Sequence, residues 1–562
     1  MGNVQSSLVS RGIETLGDWN PQLMREIQGR LKVRSVFLTV LSSLIAQGLF
    51  LFWRYRTIEM RWGNCATAEY QKTGKACLQV GPAQYVLVNW PAWWLQVFAW
   101  SCILLMFGLI VGGMFMLISD LSREDRQGTL TFISLSPQTA RTLLLGKMLG
   151  VPFLVYLAVF LALPLHYAAG LAAQIPALKI ASFDLLLLAS CFFFYSLALL
   201  LGLVGNWLNG FQSWLGSAGI LMLLLLFKNT FLSRTAIDWL FAFTPSVILP
   251  YVTQTFEFRS YGERLPFDHN NILEWQWFTI PIGSSGWMVL LFGLAHFGLW
   301  AWWLWRPLQR RFRNPTVSLL SKPQSYWATA CFFTSFLGFA VLSQPADPTS
   351  TIAAVLVPHL LWFLLMIVLL LPHHQDLEDW ARFRGHYPSA KGRMQRVKDL
   401  LRADNSPTWV AISINLGIAG IPIMVWILSL PEDEHMAGVG GLLLSSTLIW
   451  VYALFNQVIL LRPLSHRNWW VIATLLGPIL LPTLLFILMG IAPGQWGGRL
   501  FLLTPFAFAI LKDLSAAVAL QMFGVHLAMI AGLTWSLNRQ LQRFGESTTQ
   551  RLFQRERQIE QS

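Results

Sequence analysis

The chain has 562 residues, of which 55% are hydrophobic and 12% charged, with 27 Trp and 39 Phe. That much apolar surface exceeds what a water-soluble domain buries, so the composition excludes a soluble globular protein. The formal charge of +13 does not mark a nucleic-acid binder: 27 of the 40 Lys and Arg fall in the two terminal segments and the inter-helical segments expected on one face, the positive-inside pattern.

Residues 1–34 are polar and carry no cleavable signal pattern. Within them Trp19, Leu23, Ile27 and Leu31 recur about every four residues, with Arg25, Arg30, Lys32 and Arg34 on other faces. This spacing predicts an amphipathic cytoplasmic helix lying on the inner membrane surface. Twelve apolar runs follow, near 35–53, 92–118, 142–164, 183–205, 214–232, 286–305, 328–345, 352–371, 409–429, 441–461, 469–490 and 514–536. Each is close to the ~20 residues that a span needs. The expected fold is an all-α polytopic membrane protein with about 12 transmembrane helices and both termini cytoplasmic. The first outer loop holds Cys65 and Cys77, which pair as a disulfide if that loop faces an oxidising compartment and stay free thiols otherwise. Residues 239–245 are apolar enough to dip into the membrane as a short re-entrant piece.

Motifs repeat in the same order along the chain. Leu304-Trp305-Arg306-Pro307-Leu308-Gln309-Arg310 follows the sixth run, and Leu537-Asn538-Arg539-Gln540-Leu541-Gln542-Arg543 follows the twelfth. Thr244-Pro245 is matched by Thr504-Pro505, and Ser136-Pro137 by Ser406-Pro407. This order predicts two parallel six-span repeats. The expected division is an N-terminal segment 1–34, a first half 35–313, a second half 314–537 and a basic tail 538–562.

The polar stretch between the second and third runs is the most distinctive. Asp120, Arg123, Glu124, Asp125 and Arg126 crowd into two helical turns, Gly128 breaks them, and Thr129, Leu130, Phe132 and Ile133 form a short amphipathic piece. Ser136-Pro137 ends that piece, and Gly146-Lys147 lies in the next apolar run. A charged hinge and a short helix between two spans offer a surface for a docking partner. Lys147, one turn inside its run, is expected to snorkel to the inner surface.

Glu124-x-x-x-Gly128-Thr129-Leu130, then Ser136-Pro137, then Gly146-Lys147, resembles the permease subunits of type-2 ATP-binding-cassette (ABC) exporters. The resemblance implies that 119–141 is a coupling helix docking on separate ABC ATPase subunits. Arg123, Glu124, Asp125 and Arg126 would make the polar contacts, Leu130, Phe132 and Ile133 would fill the partner's cleft, and Gly146 would let spans pack closely. It also implies a multi-pass protein of the bacterial inner membrane that moves an unidentified substrate. The chain itself would bind no cofactor, ATP-Mg being held by the partner subunits. No phosphate-binding Gly-x-x-x-x-Gly-Lys-Ser/Thr occurs, because Gly146-Lys147 is followed by Met148 and Gly74-Lys75 by Ala76. The second coupling position, 372–408, is basic and lacks the Glu-x-x-x-Gly-Thr string, so the resemblance covers the second half mainly by topology.

Asp125-Arg126-Gln127-Gly128 also fits a twelve-span facilitator-type secondary transporter, although the string continues without the basic pair expected there. A membrane-embedded enzyme would need clustered acids and histidines. Here the only candidates are His373, His374, Asp376, Glu378 and Asp379, whose spacing fixes no metal geometry. The ionisable residues placed within runs are Lys147, Asp184, Lys228, His296, His359 and His526, each a functional candidate by its cost in a bilayer.

Overall fold

The computed structural model describes residues 17–62, 77–80, 85–88, 90–205, 210–227, 236–253, 265–267, 272–341, 348–383, 390–462, 467–490, 498–511 and 516–545. Cys65 and Lys228 lie outside these residues, so the Cys65–Cys77 bond lies outside what is described. The chain is an all-α polytopic membrane protein. Among the described residues ten helices are long and apolar enough to span, and a bent pair, Ala236–Phe243 and Pro245–Thr253 at 94°, is an eleventh candidate. The two remaining runs of the expected twelve are also helical but short, Phe211–Phe227 and Lys322–Leu337. The described strands are a small hairpin, Cys77–Val80 against Tyr85–Val88.

The chain forms two compact units, divided between Arg313 and Asn314. In the first, α1 (Pro21–Arg30) precedes α2 (Val33–Trp62). The long α3 (Trp90–Arg126) follows, with one π stretch at Gly108–Gly112. Tyr195 donates its hydroxyl to the Leu109 carbonyl at 2.7 Å, satisfying an acceptor where the helical ladder is widened. Then come α4 (Thr129–Ser134), α5 (Ala140–Gly150), α6 (Phe153–Ala172), α7 (Ala177–Val204), α8 (Phe211–Phe227) and α9 (Gly286–Arg313). Helix α7 is central, packing against α3 and α9.

The third expected span is displaced. Val151-Pro152 interrupts the apolar run, so α5 is a separate helix carrying Lys147, and the spanning helix α6 begins at Phe153. Proline lacks the N–H that would continue the ladder.

The second unit holds α10 (Lys322–Leu337), α11 (Pro348–Leu369), α12 (His374–Phe383), α13 (Ala390–Arg402), α14 (Trp409–Leu428), α15 (Glu432–Leu460), α16 (Arg467–Leu488) and α17 (Ala516–Gly545). Helix α15 is its centre, packed by α14, α11 and α17.

The repeated motifs adopt the same local shapes in each unit. Thr244 and Thr504 each donate their hydroxyl to the carbonyl three residues back, Phe241 at 2.9 Å and Phe501 at 2.7 Å. The Ser136 and Ser406 amides likewise donate to Ile133 and Ala403. Leu308 and Leu541 of the Leu-x-Arg motif are both buried. Arg306 lies 4.3 Å over the Trp302 ring and Arg539 5.4 Å over Trp535, so in each motif the first arginine covers a tryptophan four residues before it.

Candidate functional site

Helix α1 starts with Asn20 as its N-cap and Pro21 in its first turn; the Asn20 side-chain oxygen accepts from the Leu23 amide at 3.0 Å. The same side chain donates to the Thr142 carbonyl at 2.9 Å, tying the cap to the first turn of α5. The face that α1 buries is Gln22, Leu23 and Glu26, while Trp19 and Leu31 stay exposed. That face lies along Gly146 and Gly150. A Cβ on Gly146 would stand 2.7 Å from the Asn20 Oδ1 and 2.8 Å from the Leu23 amide nitrogen, and one on Gly150 would stand 2.5 Å from the Glu26 Cβ. The glycine groove therefore receives the N-terminal helix, where the expectation was a neighbouring span.

This docking completes a buried ionic cluster. Lys147 is 1% exposed, so it does not snorkel; its ammonium lies 2.7 Å from Glu124 Oε2, 2.9 Å from Asp120 Oδ2 and 3.2 Å from Glu26 Oε1. Arg30 pairs with Glu26 and, at 2.9 Å, with Asp120. Arg123 lies 3.3 Å from Asp120, and the half-exposed Arg25 lies 3.1 Å from Glu124. The spacing i, i+3, i+4 sets Asp120, Arg123 and Glu124 on one face of α3, above Lys147. Burial works to raise the Glu26 carboxyl, but the Lys147 and Arg30 charges outweigh it and hold it below its ordinary value. The carboxylates of Glu26, Asp120 and Glu124 lie within 4.8 Å of one another, and the cation they enclose is the Lys147 ammonium. A cleft of about 530 Å³ opens beside the cluster, lined by Arg25 and Arg30 of α1 and by Phe115, Met116 and Arg123 of α3.

Beyond the cluster the chain turns at Gln127 and Gly128. Gly128 has φ 70°, a left-handed conformation that glycine takes without a Cβ penalty. The Thr129 hydroxyl donates to the Glu124 carbonyl at 3.1 Å, closing the end of α3. On α4, Ile133 turns inward while Phe132 and Leu135 are 78% and 77% exposed. Ser136-Pro137 ends the helix, and Thr139 caps α5 by accepting from the Thr142 amide at 3.2 Å. Arg126 lies over Gly210, Asp125 acts electrostatically on Arg311, and Arg141 donates to Gln309 at 3.1 Å. The sequence-predicted set thus divides. Glu124, Gly146 and Lys147 face inward onto α1, and Ile133, expected in the partner's cleft, is buried; Phe132, Thr129 and Arg123 face outward, beside Leu135, which the sequence did not single out. Leu130 is half-buried.

No family model matches the chain, and neither does any curated protein or solved structure.

The second coupling position is built differently. Helix α12 folds back on its own unit, burying Leu377 and Ala381 against α15 and α17. His374 spends its Nε2 on Glu378 at 2.8 Å, and Arg382 reaches Glu378 and Asp379, which makes this acid–histidine group an intrahelical ion-pair ladder. The buried Lys322 donates to the Leu400 and Pro407 carbonyls, each at 2.9 Å, and bonds the Ser406 hydroxyl at 2.5 Å.

The histidines within the apolar helices are packed. His296 is boxed by Trp239, Phe243, Phe292, Phe297 and Trp300, the nearest ring centroid at 4.4 Å. His359 sits between Phe333 and Phe363. His526 shares a hydrogen bond of 2.9 Å with Thr447. Sequence reasoning missed His166, whose Nδ1 lies 2.8 Å from the Ser101 hydroxyl and whose Nε2 lies 3.6 Å from Asp184. Tyr167 donates to the other Asp184 oxygen at 2.8 Å. Ser101 and His166 are both buried, and the serine hydroxyl also lies 2.7 Å from the Phe98 carbonyl. This chain of groups joins α3, α6 and α7 as a polar clamp.

Proposed function

We propose that the chain is the membrane-spanning subunit of an ABC-type exporter, with two permease-like halves and ATP-Mg bound and hydrolysed on separate subunits. Its setting would be a bacterial inner membrane, with α4 on the cytoplasmic face. The observation that carries the reading is α4 itself. The six-residue α4, between the long apolar α3 and the short α5, presents Phe132 and, at its C-cap, Leu135 outward, on a base stiffened by a buried ionic cluster. Large exposed apolar side chains rimmed by polar groups are what a protein partner covers. The cluster supplies the other half of a transmission device, because a push on α4 passes through the end of α3 into α5 and α1 together.

The test is co-purification of ATPase subunits from native membranes, with hydrolysis measured on the complex. Phe132→Asp removes an apolar anchor from the exposed tip, so partner affinity should fall about thirtyfold or more, as for an interface hot spot. The variant should keep the wild-type melting temperature, because Phe132 packs against little in the chain itself. A Phe132→Asp chain that assembles and hydrolyses ATP like wild type overturns the reading. Flux driven by an ion gradient without any associated ATPase would favour the facilitator alternative.

A further inference from the structure

Helix α13 carries Lys391, Arg393, Arg396, Lys398 and Arg402 against a single acid, Asp399. Met394 and Val397 are 63% and 50% exposed, and Lys398 and Arg402 are exposed as well. The i, i+3, i+4 spacing of 394, 397 and 398, continued by 402, sets these four on one stripe, apolar and basic interleaved. The opposite side of the helix end is anchored. Tyr326 donates to the Leu401 carbonyl at 2.9 Å, Lys322 donates to that of Leu400, and the Lys322 amide donates to Asp404 at 3.3 Å.

The anchor fixes the level of the helix. Lys322 is the first residue of α10, and Asn415 of α14 donates to Ser325 at 2.9 Å, so two apolar helices begin side by side where α13 ends. That level is the membrane–water boundary. The neighbouring α12 shows what a covered face looks like, with Leu377 and Ala381 buried. The stripe of α13 is left open at the same boundary.

We propose that α13 docks on the membrane surface and binds anionic phospholipid headgroups, with Met394 and Val397 inserted below the headgroups and the basic residues paired with phosphates. Charge complementarity selects the occupant: a run of cations interleaved with apolar residues at a bilayer boundary matches an anionic interface. The proposal rests on the membrane-spanning fold and does not require the ATPase reading.

The experiment uses the full-length chain, its accessible natural cysteines replaced, with Met394→Cys carrying an environment-sensitive nitrobenzoxadiazole label. It is placed in nanodiscs of phosphatidylcholine alone or mixed with phosphatidylglycerol, each doped with spin-labelled lipid. The label should blue-shift and be quenched in the phosphatidylglycerol discs, and high salt should reverse both changes without any charge substitution. Lys398→Glu with Arg402→Glu should weaken the docking by about fivefold per cation removed. A label that stays water-exposed in both discs overturns the proposal. So does equal quenching in both without salt dependence. Shielding seen only in preparations that retain a co-purified ATPase subunit assigns the face to a protein and also overturns it.

Discussion

At the scale of single residues, Lys147 decides the state of the first unit. Its ammonium is the only fully buried cation among three carboxylates, two of which it shares with Arg30. Lys147→Met keeps the volume and removes the charge, which should lower stability by about 3–5 kcal/mol, the cost of leaving buried charges unpaired. Adding Glu124→Gln should recover part of that loss, and a double-mutant cycle on thermal melts would measure it. Acid should act at the same place. The Glu26 carboxyl sits below its ordinary 4.5 in the folded chain, so the folded state binds fewer protons there. Its contribution is therefore complete above about pH 4.5 and lost as pH falls through the folded value. Glu26→Gln should flatten that acid limb, and an unchanged limb would remove Glu26 from the cluster's energetics. The sequence marked Lys147 as costly but not its partners, because Asp120 and Glu26 stand 27 and 121 residues away. Snorkelling was the natural inference from a lysine one turn inside an apolar run, and only the docking of α1 makes it false.

At the scale of elements, the glycines of α5 are a bearing surface. Gly146→Val adds branched carbons where the Asn20 cap and the Leu23 amide already lie within 2.8 Å of a Cβ position. Helix α1 should lift away, and hydrogen exchange of residues 21–30 should rise several-fold while α3 and α7 stay protected. Exchange unchanged from wild type would mean that α1 is held by its ion pairs alone. In the second unit, burial pushes the Lys322 ammonium down from 10.5 to about 7. Here the unfolded chain binds more protons, so stability should rise with pH between about 7 and 10.5. Subtracting the Lys322→Met profile from the wild-type profile isolates this rise, and a difference that is flat across the window would contradict it. Element types were readable from hydropathy because apolar runs near 20 residues have few alternatives to helix. Element ends were not. The Pro152 break, the separation of α5 from α6, and the division of 372–408 into one covered and one open helix depend on contacts that periodicity does not carry.

At the scale of the whole molecule, ten of the twelve expected runs form helices of spanning length, and two do not. The two short ones, Phe211–Phe227 and Lys322–Leu337, flank α9, and with the bent pair Ala236–Phe243 and Pro245–Thr253 returning to its own side their crossing goes with the direction of α9. The end of α9, with Arg310, Arg311 and Arg313, lies on the same side as α4, since Gln309 accepts from Arg141 at 3.1 Å and Asp125 acts on Arg311. Had neither short helix crossed, that arginine-rich end would be exported, against these contacts. The positive-inside bias argues for crossing, since carrying those guanidinium groups outward runs against the pattern of the remaining loops. The 16 residues of Lys322–Leu337 also lie at the lower edge of what a bilayer accommodates by thinning or by flanking residues that snorkel. Single cysteines at Thr316 and Leu273, both exposed positions, test this with a membrane-impermeant maleimide on right-side-out and inverted vesicles. A cysteine at Ser134 on α4 serves as the reference. Thr316→Cys should label from the same side as Ser134→Cys, and Leu273→Cys from the opposite side. The reverse pattern at both positions would contradict the direction of α9 that the Arg141–Gln309 bond implies and would mean that the short helices stay within one leaflet.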